Sequence, residues 1–99
     1  MPGVFCQVSV FIPGAQSLKD RRQAIRSVMD RLRSKCGATV AEAGFQNTWQ
    51  RAGIIFAIVA SDARILAASL EIARRQFEDA AELELLEFDC TDVEEEPWE

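Results

Sequence analysis

The stretch Val4-Phe5-Cys6-Gln7-Val8-Ser9-Val10-Phe11-Ile12-Pro13-Gly14-Ala15-Gln16-Ser17-Leu18-Lys19-Asp20 decides the fold. Its even positions Val4, Cys6, Val8, Val10 and Ile12 are all apolar, while the odd positions Phe5, Gln7, Ser9 and Phe11 are mixed. A period of two of this kind predicts a strand with one face in a core. Pro13-Gly14 breaks it, and Ser17 followed three residues later by Asp20 resembles a capping box with Asp in place of Glu, opening a helix. Strand and helix in immediate succession make the chain an α+β or α/β protein.

Working outward, Leu18, Ile25, Val28, Met29, Leu32 and Cys36 recur at helical spacing, and Gly37 supplies the stop. Residues 38–46 are small and partly alternating, and Ile54 to Val59 is a continuous apolar run rich in β-branched residues, so the two read as a strand pair. The polar segment Asn47-Thr48-Trp49-Gln50-Arg51 is the hairpin connection between them. Ser61-Asp62 offers an N-cap for a second helix, whose apolar stripe is Leu66, Leu70, Ala73 and Phe77, reinforced by Ile65 and Ile72. Leu83 to Val93 is a last strand whose apolar parity shifts at Leu85-Leu86, which predicts a bulge and leaves Leu86, Phe88 and Cys90 on one face. The order β-α-β-β-α-β, with two right-handed crossovers and one hairpin, predicts a ferredoxin-like split βαβ sandwich. Its four-stranded antiparallel sheet should run in order 4-1-3-2 with both helices on one face. Residues 1–93 form this single domain, and residues 94–99 are expected to be a flexible acidic tail.

Composition narrows the function. The 99 residues are 48% hydrophobic and 27% charged, which fits one domain. His is absent, so the usual general base near neutral pH and the commonest metal ligand are both missing. A non-enzymatic protein with no metal and no cofactor is expected. Three Cys without a C-x-x-C pair offer neither a disulfide framework nor a zinc knuckle, and all three are expected as buried reduced thiols. No export signal and no run of eighteen apolar residues is seen, so a cytoplasmic, non-membrane protein is expected.

Charge is unevenly spread. Residues 17–36 carry seven basic against two acidic residues, a net of +5, whereas residues 37–99 carry four against fourteen, a net of −10. On a helical wheel counted from Leu18, Arg22, Arg33, Arg26 and Lys19 fall at about 40°, 60°, 80° and 100°, one stripe beside the apolar face. Such a row suits a phosphate backbone; the bland alternative is a solvated helix edge with Asp30 pairing Arg26. On the second helix, Glu71 can pair with Arg74 and Arg75, and these with Glu78 and Asp79. Gln46, Trp49, Gln50 and Arg51 place an aromatic, two amides and a cation at the hairpin tip, suited to stacking a base, unless Trp49 folds back as a lid over the core. Phe5 and Phe11 fall on the sheet face away from the helices. They are joined there by Ala41, Ala43 and one of two sets from strand three: Ile54, Phe56 and Ile58, or Ile55, Ala57 and Val59. A homodimer or higher oligomer through this open face is expected.

The string Ile12-Pro13-Gly14-Ala15-Gln16-Ser17-Leu18-Lys19-Asp20-Arg21-Arg22, with Val40-Ala41-Glu42 and Trp49-Gln50-Arg51-Ala52, resembles the YlxP-like family, domain of unknown function 503. The resemblance runs to about Val93. It implies a ferredoxin-like fold and a small bacterial cytoplasmic protein of undetermined activity, whose genes tend to neighbour those for transcription and translation factors. Phe45 stands where the family pattern has His, and Thr48 where it has Leu. The combined expectation is an RNA- or ribosome-associated accessory binding module. It would use Lys19, Arg22, Arg26 and Arg33, with Trp49 and Arg51 as a second contact. The alternative is a homo-oligomeric protein-interaction or small-ligand-sensing module that binds no nucleic acid.

Overall fold

The computed structural model describes residues 2–45 and 48–94. Six elements follow in the order β1 (Pro2–Phe11), α1 (Leu18–Cys36), β2 (Thr39–Glu42), β3 (Arg51–Val59), α2 (Ala63–Glu78) and β4 (Glu84–Glu94). The strands form one antiparallel sheet in the order β2-β3-β1-β4, the expected 4-1-3-2 arrangement read from the other edge. Both helices lie on the sheet face made by the even positions of β1, and the chain has the ferredoxin-like α+β fold.

The register explains the core. Val4, Cys6, Val8 and Val10 of β1 stand opposite Ile58, Phe56, Ile54 and Ala52 of β3, and all eight are buried. Above them pack Ala24, Ile25, Val28 and Leu32 of α1 and Ala73 and Phe77 of α2. Phe56, Phe77 and Phe88 form an aromatic triad with ring centroids 5.9–6.3 Å apart, edge-on in two of the three pairs. The strand-three set on the open face is therefore Ile55, Ala57 and Val59.

The helix ends follow their residues. Ser17 Oγ accepts from the Asp20 N–H at 3.2 Å, while Asp20 Oδ2 accepts from the Gln16 N–H at 3.2 Å, so the box closes one residue further back than the standard pattern. Gly37, at φ +63°, ends α1, with its N–H and that of Ala38 returning to the carbonyls of Arg33 and Leu32. Asp62 Oδ1 caps α2 by accepting from Ile65 N–H at 2.9 Å.

Several expectations are corrected. β2 is only four residues long, because Gly44 (φ +86°) and Phe45 (φ +57°) turn the chain out of the sheet after Ala43. β3 begins at Arg51 rather than Ile54, because Arg51, Ala52 and Gly53 find partners in Phe11, Val10 and Ser9. The bulge between Ser9 and Val10 is present, but Leu86 is its extra, exposed residue and Leu85 takes the core position beside Phe88. Ile65 and Ile72 of α2 are exposed rather than reinforcing the apolar stripe, as is Leu18 of α1. Of the ion pairs foreseen on α2, Arg75 with Glu71 is formed at 3.6 Å, and Arg74 instead covers the Phe88 ring. β4 runs to Glu94, the first residue of the expected tail; residues 95–99 lie outside the described residues.

Candidate functional site

The basic residues of α1 divide into two groups. Arg21 is 5% exposed and is consumed by the fold: Nη1 pairs with Glu42 Oε2 at 2.7 Å, while Nε and Nη2 donate to the carbonyls of Thr48 and Phe45 at 2.9 and 3.2 Å. It ties α1 to β2 and to the loop that follows. Arg31 likewise donates to Ser27 Oγ and to the Gln76 carbonyl of α2, and reaches Glu82 at 3.9 Å. The remaining cations face solvent. Lys19, Arg22 and Arg26 are exposed and form no ion pair among the described residues, while Arg33 is shared between Asp30 at 3.3 Å and the Val40 carbonyl at 3.4 Å. Asp30 is thus paired with Arg33 rather than Arg26.

The Arg33 contact also locates the stripe. Ala43 N–H donates to the Gly53 carbonyl at 2.8 Å, so odd positions of β2 bond to β3 and the Val40 carbonyl points out from the sheet edge. Arg33 caps that outward carbonyl. Since Arg31, on the other flank of the helix, reaches α2, the stripe runs along the side of α1 that overhangs the β2 edge.

Trp49 is 52% exposed, not a lid over the core, and it lines a shallow crevice with Ala15, Gln16, Thr48 and Gln50 beside the start of α1. Arg21 holds the Thr48 carbonyl, which keeps this loop at the N-terminal end of the stripe. Gln50 serves the backbone: its carbonyl accepts from Ile12 N–H at 2.8 Å and its side chain donates to the Pro13 carbonyl at 3.4 Å. Gln46 lies outside the described residues.

Arg51 is placed elsewhere. It is the first residue of β3 and projects onto the open sheet face, donating to Ser9 Oγ at 2.6 Å, with its guanidinium carbon 4.0 Å from the centre of the Phe45 ring. Its Nε is buried without a hydrogen-bond partner among the described residues. Trp49 and Arg51 therefore do not form one contact surface.

The open face is chemically divided. At one end Phe5, Ala57, Val59 and Val93 are neighbours across Gly3, with Val59 67% and Val93 47% exposed. At the other end Arg51 holds Ser9, Glu87 and Asp89 stand opposite Ser9 and Gln7, and a trough of about 360 Å³ runs over Gln7, Ser9 and Ile55 between Phe45 and the two carboxylates. Phe11, opposite Arg51, belongs to this polar end. The sequence signal that places a cation on this face is the parity of Arg51 with Ile55 and Val59.

The expected burial of all three thiols holds for Cys6 alone. Cys36 is half-buried at the end of α1, where burial pushes its thiol up against the opposing charge of Lys35, and Cys90 on β4 is exposed. Among the described residues no cluster of three or more metal-ligating side chains is present, and no helix is long and apolar enough to cross a membrane.

Solved structures share the architecture. A structural-genomics protein, YJCS, superimposes with a TM-score of 0.57 over 93% of this chain and 99% of its own, at 7% identity. Protein SO0527 from Shewanella oneidensis matches with a TM-score of 0.51 at 15% identity, covering 92% of this chain and 88% of its own. At these identities the likeness is one of fold. In sequence, the uncharacterized protein YlxP of Bacillus subtilis (strain 168) is 33% identical over 57 residues, 58% of this chain and 62% of that protein. The alignment thus spans less than two thirds of the curated relative. Residues 4–90 match the family described as Protein of unknown function (DUF503), and the chain belongs to that family.

Proposed function

We propose that this protein is a cytoplasmic, non-enzymatic accessory module that holds the phosphate backbone of an RNA, such as a ribosomal segment, along the outer flank of α1. The observation that carries this reading is the division among the basic residues of one helix. Arg21 and Arg31 are spent on packing, whereas Lys19, Arg22 and Arg26 stand exposed and form no ion pair among the described residues. Exposed cations in a row, on a chain that is acidic elsewhere, cost stability through mutual repulsion and gain it back when an anionic polymer lies across them. Arg33 joins them by exchanging its exposed contact with Asp30 for a phosphate. Trp49 supplies a stacking platform at the end of the row. Arg51 has no part in this surface.

Fluorescence anisotropy with labelled single-stranded and structured RNA tests the reading. Binding at about 50 mM salt that weakens steeply as salt rises is the expected result. Equal binding by wild type and by an Arg22→Glu, Arg26→Glu, Arg33→Glu variant, or no binding by either, overturns it.

A second reading has its own observation: Val59 and Val93 are large apolar side chains left in solvent side by side with Phe5. A homo-oligomer that joins this end of the open face would cover them. The polar end, with Arg51, Glu87 and Asp89, would form the rim. Light scattering that returns a monomer mass at micromolar concentration removes this reading.

A further inference from the structure

Cys6 and Cys90 are 84 residues apart in the chain, and their Sγ atoms stand 2.6 Å from each other across the β1/β4 boundary. The two are direct cross-strand partners. Even positions of β1 turn their backbone groups toward β3, a series continued at both ends by Ile12 N–H to the Gln50 carbonyl and Ala60 N–H to the Pro2 carbonyl. Cys6 therefore faces Cys90 at a non-hydrogen-bonded rung, where opposed Cα atoms approach to about 4.5 Å and side chains are closest. That spacing lies inside the window of about 4.4–6.8 Å within which a disulfide closes without backbone movement.

From this placement we propose that Cys6 and Cys90 are a reversible dithiol/disulfide modification site, which forms by exchange with a small-molecule disulfide and fastens the edge strand β4 to the centre of the sheet. Cys90 is exposed and Cys6 is buried, which fixes the order of events. Cys90 Sγ loses its proton to solvent and attacks one sulfur of the small disulfide. One small thiolate leaves and takes up a proton. Cys6 Sγ then attacks Cys90 Sγ in the mixed disulfide, the second small thiol departs, and the Cys6 proton passes to water. Two electrons and two protons have moved from the protein thiols to the small disulfide, so the step balances.

The surroundings fit the assigned roles. Burial, and next to it the Cys90 thiol, push the Cys6 thiol well above its ordinary range, with Asp92 adding to the effect and Arg74 of α2 opposing it. Cys6 thus waits protonated until Cys90 has been made electrophilic. Cys36 sits at the far end of α1, beside the opposite sheet edge, and is an internal control.

The full chain should be equilibrated with mixtures of reduced and oxidised glutathione, then quenched with acid and read by intact mass and peptide mapping. The expected result is the loss of two hydrogens, a linked peptide pair containing Cys6 and Cys90, a free Cys36, and full reversal by dithiothreitol. Closing so long a loop should raise the melting temperature of the oxidised form by at least about 5 °C. Cys36→Ser should behave as wild type. Cys90→Ser changes an exposed position and should form no internal link. A glutathione adduct that persists on Cys90 without resolution by Cys6, or a link that includes Cys36, overturns the proposal.

Discussion

Removing the guanidinium of Arg21 while keeping its aliphatic stem, as in Arg21→Met, should be among the most damaging changes to a charged residue in this protein. The side chain is 5% exposed and makes an ion pair of 2.7 Å with Glu42 and two hydrogen bonds to the carbonyls of Thr48 and Phe45. Breaking a buried ion pair from one side costs about 3–5 kcal/mol, because the partner's charge is left without compensation. Glu42 is 27% exposed and the loop carbonyls can rehydrate, so the cost falls at or just below the low end of that range: about 2–3 kcal/mol. With a urea slope of about 2 kcal/mol/M, the middle of the usual span, the midpoint should fall by about 1–1.5 M at unchanged slope. Amide exchange should quicken selectively between Ala43 and Gln50. The companion Glu42→Gln removes the stranded carboxylate, so the double variant should recover at least about 1 kcal/mol relative to the sum of the single changes. A loss below about 1 kcal/mol for Arg21→Met, or strict additivity in the double variant, would refute the role given to this residue.

With three to four phosphate contacts from Lys19, Arg22, Arg26 and the half-engaged Arg33, log affinity against log salt should have a slope of roughly −2 to −3 for single-stranded RNA, and Arg22→Ala with Arg26→Ala should flatten it by about 1.4. Phe56→Ala opens the aromatic triad and should cost about 3–5 kcal/mol in chemical denaturation, whereas Ile65→Ala, on the exposed flank of α2, should stay within about 0.5 kcal/mol. Gly53→Ala places a Cβ against the Ala43 carbonyl and should destabilise the β2–β3 pair, seen as faster exchange at Ala43 and Ile55. Under reducing conditions stability should fall as pH climbs past the ordinary thiol value of 9.0. Cys6 and Cys36 are both raised in the folded chain, so the unfolded chain sheds their protons first; a flat profile above that pH would contradict the assigned burial.

Where one physical rule dominated, the chain was legible. The alternation of Val4 to Ile12 and the pairing of Ser17 with Asp20 located β1 and α1 because burial of one face and satisfaction of a helix end are local demands. The apolar doublet Leu85-Leu86 signalled the bulge, but which leucine enters the core depends on the register against Val10, a non-local fact. The same holds for the site. Wheel geometry grouped Lys19, Arg22, Arg26 and Arg33 and set Arg21 at about 300°, between Val28 and Leu32 on the buried face, yet it could not show that a carboxylate and two carbonyls more than twenty residues away compensate its charge. Nor could hairpin proximity reveal that Trp49 and Arg51 diverge, since the turn between loop and strand sends Arg51 to the sheet face. The thiol pair was hidden for a similar reason: two cysteines at opposite ends of the chain become neighbours only once β4 is laid antiparallel to β1.

The sheet order turns the uneven charge of the sequence into a spatial one. β2 and β4 are the two edges, with β3 and β1 between them. α1 lays its solvent-facing cations over the β2 edge, while β4 carries Glu84, Glu87, Asp89 and Asp92 along the other. Both edges are thereby protected against pairing with other strands, by an arginine that caps the Val40 carbonyl at one and by a row of acids at the other. Under the proposed function the same arrangement would orient the RNA: repulsion from β4 and attraction to α1 would act in one direction across the molecule and steer a strand to the α1 flank, although the total charge is −5. A disulfide between Cys6 and Cys90 would fasten the repelling edge and leave the attracting one untouched, which makes the two proposals separable by experiment.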